Sequence, residues 1–411
     1  MPPRGLVSPP VLVLGRHITA VGLLRTFAKR GVPAWSAEAT DDIITRSRWY
    51  HPTPSCLAET DDGGALAAFL EHLPIERAVL VAAGDRWTAA VAALPATMAE
   101  RFPASVPPLH AVEQCIDKDR FRALVAELGI PAPRSRPLRS SADLADASDA
   151  ELATGFLKPT DSQRYARVFT DKGKFAATRE EAARLVDEAA AEGFEYLLQE
   201  WIPGEVPRTV LLDGFVDRRG ELKAMVARRR LRMEPPRIAN TAMSVTIPLE
   251  EVPEAVRTAN RLLEALRYRG VFNLELKQDE RDDRFKVIEL NPRPTWYIEH
   301  LARAGGHLAW MAYLDAQGCW VPPMRRYRPN RYAMYEVREI GALLRAISER
   351  RRVEGPVMRP WLRGDHMLIR LDDPLPGLVD LARAIRGRVA GSPVRGQGQG
   401  TTSAPGLRRA T

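Results

Sequence analysis

The chain has 411 residues, room for two or three packed units, and its 45% hydrophobic and 27% charged residues are ordinary for a soluble α/β protein. Its net charge of +8 comes from arginines spread along the chain, which reads as a solvated basic surface or as a nucleic-acid or anionic-ligand surface. Cys56, Cys115 and Cys319 are too few and too scattered for a disulfide framework or a CxxC metal site, and no run reaches the roughly 18 apolar residues of a membrane helix.

The first apolar run predicts a buried strand over 11–15, followed by a helix over 18–30 and a second strand over 32–37. Gly31 sits where a helix stop is expected. Pro9-Pro10 interrupts the apolar stretch ahead of Gly15, so no signal peptide and a cytoplasmic location are expected. "RAVLVAAGDRWTAAVAAL" repeats the pattern, with a strand over 78–83, a turn at Gly84-Asp85 and a helix. Such alternation predicts a parallel sheet covered on both faces. "GRHITAVG" lacks the GxGxxG turn of a dinucleotide-binding oxidoreductase. His17, just after the first strand, either lines a pocket at that strand's carboxyl end or is structural. Pro-rich "FPASVPPL" (102–109) marks a boundary.

Phe121, Leu124, Val125 and Leu128 then follow helical spacing, closed by Gly129 and Pro131. A short strand over 155–160, a helix opened by a Thr178–Glu181 capping box, and a strand over 196–205 ending in a turn come next. Further strands are expected over 208–216, 221–231 and in "NTAMSVTIP", then an amphipathic helix over 251–267. "GVFNLELK" (270–277) and "FKVIELNP" (285–292), joined by the charged loop "QDERDDR", predict an antiparallel hairpin. Beyond the helical "HLAWMAYLDAQG" lies a small mixed segment over 324–388 with a helix at 339–351, and the Gly/Ser/Pro-rich tail reads as disordered.

The hairpin carries the chemistry. Period two places Asn273, Glu275 and Lys277 on one face of the first strand and Glu289 and Asn291 on one face of the second. Two carboxylates and an amide oxygen without Cys or His suit a hard cation, Mg²⁺ before others, with Mn²⁺ as a substitute. The alternatives are a solvated face, or neutralisation of the carboxylates by Lys277 and Arg293.

Glu on one strand followed by Glu-x-Asn-x-Arg on the next resembles the metal and phosphate end of the ATP-grasp superfamily. The "DKDRFR" helix start, the "LKP" strand and the "QEWIPGE" stretch precede it in the family's order, so the likeness spans residues 110–295. It is closest to carboligases of the D-aspartate ligase type and, more distantly, to the carbamoyl-phosphate synthetase large chain. The resemblance implies an α/β pre-ATP-grasp, Rossmann-like domain over 1–109. First and second ATP-grasp subdomains, α+β in character, would follow over 110–200 and 201–323, then a C-terminal segment over 324–390 and a disordered tail over 391–411.

Site roles follow from the same resemblance. Lys118 would reach the nucleotide phosphates, and Lys158 the α-phosphate and the adenine edge; either is otherwise a solvated or ion-paired lysine. Gln199, Glu200, Trp201 and Ile202 would form the adenine-reading hinge, and Glu205 would accept from the ribose hydroxyls. Glu275, Glu289 and Asn291 would hold Mg²⁺. Arg293, Lys277 and Arg230, with Arg232 on the same strand face, would steady the transferring phosphoryl group or the substrate. After "LKP" the Gly-rich phosphate loop of many members is missing, leaving Ser162, Gln163, Arg164 or Arg167 to take its place.

The implied activity is ATP-dependent ligation of a carboxylate to an amine through an acyl phosphate, with ATP and Mg²⁺ as cofactors. Small-molecule acid and amine are the expected partners, without nucleic acid or membrane, and a homodimer is compatible. Bicarbonate activation of the biotin-carboxylase or carbamoyl-phosphate type, and a non-catalytic nucleotide-binding scaffold, remain the rival readings.

Overall fold

A computed structural model describes residues 9–38, 42–161, 165, 168–169, 173–235, 240–353 and 355–389. The described residues divide into two compact units, one within 9–135 and 199–382, the other within 136–198 and 383–389.

In the larger unit, β1 (Val11–Leu14), β2 (Ala34–Ser36) and β3 (Val79–Ala82) form a parallel sheet in the order β2-β1-β3. Alternation along β1 explains the two-sided cover. Val11 and Val13 pack with the helix His17–Ala28, whereas Leu12 and Leu14 pack with Leu66, Leu70, Trp87 and Val91 of the helices Gly63–Glu71 and Asp85–Ala92. His17 takes a left-handed backbone (φ 62°) and is held by Asp42, whose carboxylate accepts from its amide at 3.0 Å and lies 2.6 Å from Nδ1. That is the structural role among its two readings.

A second sheet in this unit has the order β11-β10-β7-β8-β9-β12-β13. Its strands are β7 (Thr209–Val216), β8 (Leu222–Glu234), β9 (Asn240–Ile247), β10 (Gly270–Gln278), β11 (Phe285–Asn291), β12 (Tyr332–Met334) and β13 (Asp365–His366). All pairings are antiparallel except β12 with β13. One face buries Leu212, Ala227, Phe272, Leu274, Leu276 and Leu290 against the helix Pro253–Ala265 and its neighbours. Gly214 is required there, because a Cβ would stand 2.3 Å from the Phe272 ring and 2.5 Å from the Ala224 carbonyl oxygen.

The opposite face changes character along the strands. Phe215, Ala224, Val226 and Val271 belong to the core shared with the helices Ile298–Ala304 and Leu308–Ala316. Two residues further along each strand the same face becomes polar: Asp213 on β7, Arg228 on β8 and Asn273 on β10, all buried. This polar half carries the candidate site.

Residues beyond 324 do not stand apart from the sheet, since β12 pairs with β9 and β13 with β12. The helix expected at 339–351 begins three residues earlier, at Glu336. The cause is tertiary. The Glu336 carboxylate accepts from the amides of Leu368 and Ile369, and Glu339 pairs with Arg232, so two acids in the first turn of this helix are buried.

The smaller unit holds most of a three-stranded sheet, in the order β4-β6-β5, formed by β4 (Ser135–Leu138), β5 (Gly155–Pro159) and β6 (Tyr196–Glu200). Leu157, Tyr196 and Leu198 pack with Val186 and Ala189 of the helix Arg179–Ala191. The Thr178 hydroxyl caps that helix by accepting from the Glu181 amide at 3.1 Å, but the Glu181 carboxylate binds the amide of Ala177 rather than closing the box.

Candidate active site

The hairpin places its polar residues as period two requires. Asn273 pairs with Asn291 and Glu275 with Glu289 across the β10–β11 ladder. After Glu275 the register shifts so that Leu276 faces Val287, and Ile288 is the extra residue of a bulge. Without it, strict alternation would continue undisturbed past the acidic pair. With it, the acidic pair stands at the point where the ladder bends.

Cations surround this pair. Arg230 Nη2 donates to Glu275 Oε2 at 2.8 Å, and its Nε donates to Thr241 at 2.8 Å. Arg293 reaches from the end of β11 to Asp85, with Nε and Nη2 on its two carboxylate oxygens at 2.7 and 3.2 Å, and lies 3.4 Å from Asn291 Oδ1. Burial pulls the Arg293 pKa down, but Asp85 and Glu289 outweigh it and hold the guanidinium above its ordinary value. Lys277 donates to the Gly204 carbonyl at 2.8 Å and sits 5.3 Å from the Trp201 ring centroid. Desolvation, helped by the charge of Arg230, leaves its ammonium below the usual lysine range.

The structure sends Arg230 and Arg232 to different partners. A bulge separates them on β8, and Arg232 forms a buried bidentate pair with Glu339 on the helix Glu336–Ser348. Arg232 is therefore a packing residue and Arg230 the one at the acidic pair. Three residues at the site escape sequence inspection. Asp213 accepts from Arg228 Nε at 2.8 Å and from Asn273 Nδ2 at 2.9 Å, and Arg228 lies 4.1 Å from the Tyr297 ring centroid. An alternating Asp in "TVLLDGFV" was the available signal for Asp213.

At the "QEWIPGE" stretch, Gln199 and Ile202 are buried, Trp201 is half-buried and Glu205 is exposed. The Glu200 side chain is already engaged: Oε2 accepts from the Arg134 amide at 3.0 Å, and Oε1 lies 2.7 Å from Arg281. Burial raises its pKa, but these partners reverse the effect and bring it below the ordinary carboxylate value. Its backbone amide is engaged as well, donating to the Arg134 carbonyl at 2.8 Å. Gly204 turns the chain with φ +114°, where a Cβ would come 2.6 Å from Arg208 Cδ. Lys118 is the first residue of the helix Lys118–Glu127, capped by Asp117, and Lys158 lies on β5 in the smaller unit.

No family model matches the chain. A D-aspartate ligase from Enterococcus faecium is 26% identical over 297 residues, covering 69% of this chain and 70% of that protein. Among solved structures, an N5-carboxyaminoimidazole synthetase from Staphylococcus aureus complexed with ADP superposes with TM-score 0.62 at 13% identity, over 85% of this chain and 92% of the other. An L-amino acid ligase from Bacillus licheniformis gives 0.58 at 13% identity, over 80% of each chain. The chain has the fold of ATP-grasp ligases, and its sequence is similar to that of the D-aspartate ligase.

As an ATP-grasp fold it must be tested for the metal its relatives imply. Among the described residues no three His, Cys, Asp or Glu side chains gather into a cluster. The donor set is thinner and harder: Glu275 Oε1, the Glu289 carboxylate and Asn291 Oδ1. Asn291 turns its Nδ2 toward Glu289 Oε1 at 3.1 Å and its Oδ1 toward Arg293 Nη2 at 3.4 Å, so the oxygen faces a cation already. Two carboxylates and an amide oxygen, with space in the shell for water and phosphate, fit Mg²⁺ better than any metal that prefers nitrogen or sulfur. The residues suggested for the missing phosphate loop of this ATP-grasp chain, Ser162, Gln163, Arg164 and Arg167, lie outside the described residues, as does the tail from 390.

Proposed function

We propose that the chain is a Mg²⁺-dependent ligase that spends ATP to activate a carboxylate as an acyl phosphate and joins it to an amine, acting on small molecules in the cytoplasm. The observation that carries this reading is the register match of Glu275 with Glu289, flanked by Asn291 and faced by Arg230 and Arg293. The D-aspartate ligase similarity favours an amino acid as the first amine to test.

A carboxylate resists attack by an amine, because its charge repels the nucleophile and oxide is a poor leaving group. When bound at Glu275, Glu289 and Asn291, Mg²⁺ would neutralise charge on the phosphates. The carboxylate oxygen attacks the γ-phosphorus, the bond to the β–γ bridging oxygen breaks, and ADP leaves. The amine then attacks the acyl carbon, the C–O bond to phosphate breaks, and the amine loses its proton. Arg230, Arg293 and Lys277 stabilise the phosphoryl oxygens through both steps. Lys118 and Lys158 hold the nucleotide phosphates. The backbone of Gln199 to Ile202, walled by Trp201, reads the adenine, and Glu205 accepts from the ribose.

The test is a screen of amino acids paired with small carboxylates for ADP release, with wild type and Glu289→Gln. Loss of turnover in the variant with an unchanged melting curve is expected, and near-normal turnover overturns the metal assignment. Release driven by bicarbonate without an amine would replace this reading with the bicarbonate-activating one.

A further inference from the structure

Asp213, Asn273 and Asn291 occupy one row across three strands, because Asn273 pairs with Asp213 on one side and with Asn291 on the other. Their hydrogen bonds have a direction. Asp213 is bound through Oδ2 to the buried guanidinium of Arg228, and an ionised carboxylate only accepts. Its Oδ1 takes the Nδ2 of Asn273 at 2.9 Å and the Thr295 hydroxyl at 3.3 Å. Asn273 is 3% exposed, so its amide has few other partners to choose. With Nδ2 committed to Asp213, the remaining end of Asn273 is an acceptor, and Asn291 Nδ2 meets it at 3.4 Å. That same Nδ2 also faces Glu289 Oε1 at 3.1 Å.

The two ends of an asparagine amide differ little in shape, so its orientation is decided by its donors and acceptors. A freely flipping Asn291 would present its NH₂ group, which repels a cation, about as readily as its oxygen. A chain that starts on a carboxylate removes that freedom. Each amide in turn must donate backward, toward Asp213, and the last oxygen is turned toward cations: Arg293 Nη2 donates to it at 3.4 Å.

We infer that Asp213 and Asn273 are positioning residues that fix the Asn291 amide with its oxygen turned toward cations, where a divalent metal would replace the long contact from Arg293. The proposal rests on the metal role of the hairpin proposed above. Asn273 touches neither metal nor nucleotide; it acts through Asn291. Outer partners of this kind are worth about 10- to 100-fold in metal affinity.

An isosteric pair tests it. Asn273→Thr keeps a hydroxyl that can donate to Asp213 and accept from Asn291, whereas Asn273→Val has the same shape and neither function. Mn²⁺ is titrated into the full chain with saturating ADP and followed by the electron paramagnetic resonance of free Mn²⁺; metal-free ADP binding and thermal melting are measured alongside. The Val variant is expected to bind Mn²⁺ about 10- to 100-fold more weakly than wild type, and the Thr variant at least about tenfold more tightly than Val. Metal-free ADP affinity should be unchanged in both. In an Asn291→Ala background the Thr and Val variants should be equal, because the chain then has no end to orient. Equal Mn²⁺ affinity of Thr and Val variants in the otherwise wild-type chain overturns the positioning role alone. A persisting difference in the Asn291→Ala background also overturns it, since the effect would not run through Asn291. If wild type takes up no Mn²⁺, the metal reading falls and this proposal with it.

Discussion

Glu275 and Glu289 stand opposite each other across the β10–β11 ladder, and Arg230 occupies one oxygen of Glu275 at 2.8 Å. Two acids at adjacent cross-strand positions repel, and the repulsion grows as water is excluded. Arg230 relieves part of it from β8. In the proposed function a metal would bind the same pair, so the arginine and the metal would share it.

This sharing separates the roles of Arg230 in binding and in turnover. In Arg230→Met the acidic pair loses a competing cation. Mn²⁺ should therefore bind as tightly as in wild type or more tightly, while ADP release falls by about 10²-fold through loss of a donor to the phosphoryl group. Steady-state kinetics beside a Mn²⁺ titration checks both. Weaker Mn²⁺ binding would mean that Arg230 orders Glu275 rather than competes for it.

Arg232, two residues further on β8, predicts a stability effect. Its partner Glu339 is fully buried, and removing that carboxylate takes away the buried counter-charge, leaving the guanidinium its bond to the neutral Pro356 carbonyl at 2.8 Å. Glu339→Gln should cost about 3–5 kcal/mol in denaturant unfolding. Replacing both residues, as Arg232→Met with Glu339→Leu, should recover most of the loss, because the unpaired charge is gone.

The loop joining β10 to β11 predicts an acid sensitivity. The buried Asp279 carboxylate accepts from Arg281 Nε at 2.9 Å and from the Arg281 amide at 3.0 Å. These bonds, with that guanidinium first, hold its pKa below the ordinary value of about 3.9. A folded pKa below the unfolded one contributes stability above about pH 4 that is lost as pH falls through the folded value. Melting temperature followed from about pH 6 downward should drop more steeply in wild type than in Asp279→Asn. Parallel curves would show that Asp279 does not contribute.

Much of the site was legible because strand geometry is local. Period two assigns Asn273, Glu275 and Lys277 to one face of β10 and Glu289 with Asn291 to one face of β11, and the short charged loop between them makes the antiparallel pairing simple. Hard oxygen donors without His or Cys then narrow the metal. The Arg230–Arg232 relationship failed for an equally physical reason. Alternation assumes an unbroken ladder, and the bulge between them turns Arg232 toward a helix that starts more than a hundred residues later.

The sequence by itself determined which residues could share a face, where polar groups interrupt apolar strands, and what class of cation such groups would take. These depend on the backbone repeat and on side-chain chemistry, both fixed within a few residues. Only the tertiary structure decided the partners. Asp85 meets Arg293 across 208 residues, Asp213 joins Arg228 to Asn273, and Glu200 is claimed by Arg134 and Arg281. A buried charge accepts whatever counter-charge the fold brings within hydrogen-bond distance, and that distance is set by sheet order and packing rather than by separation along the chain.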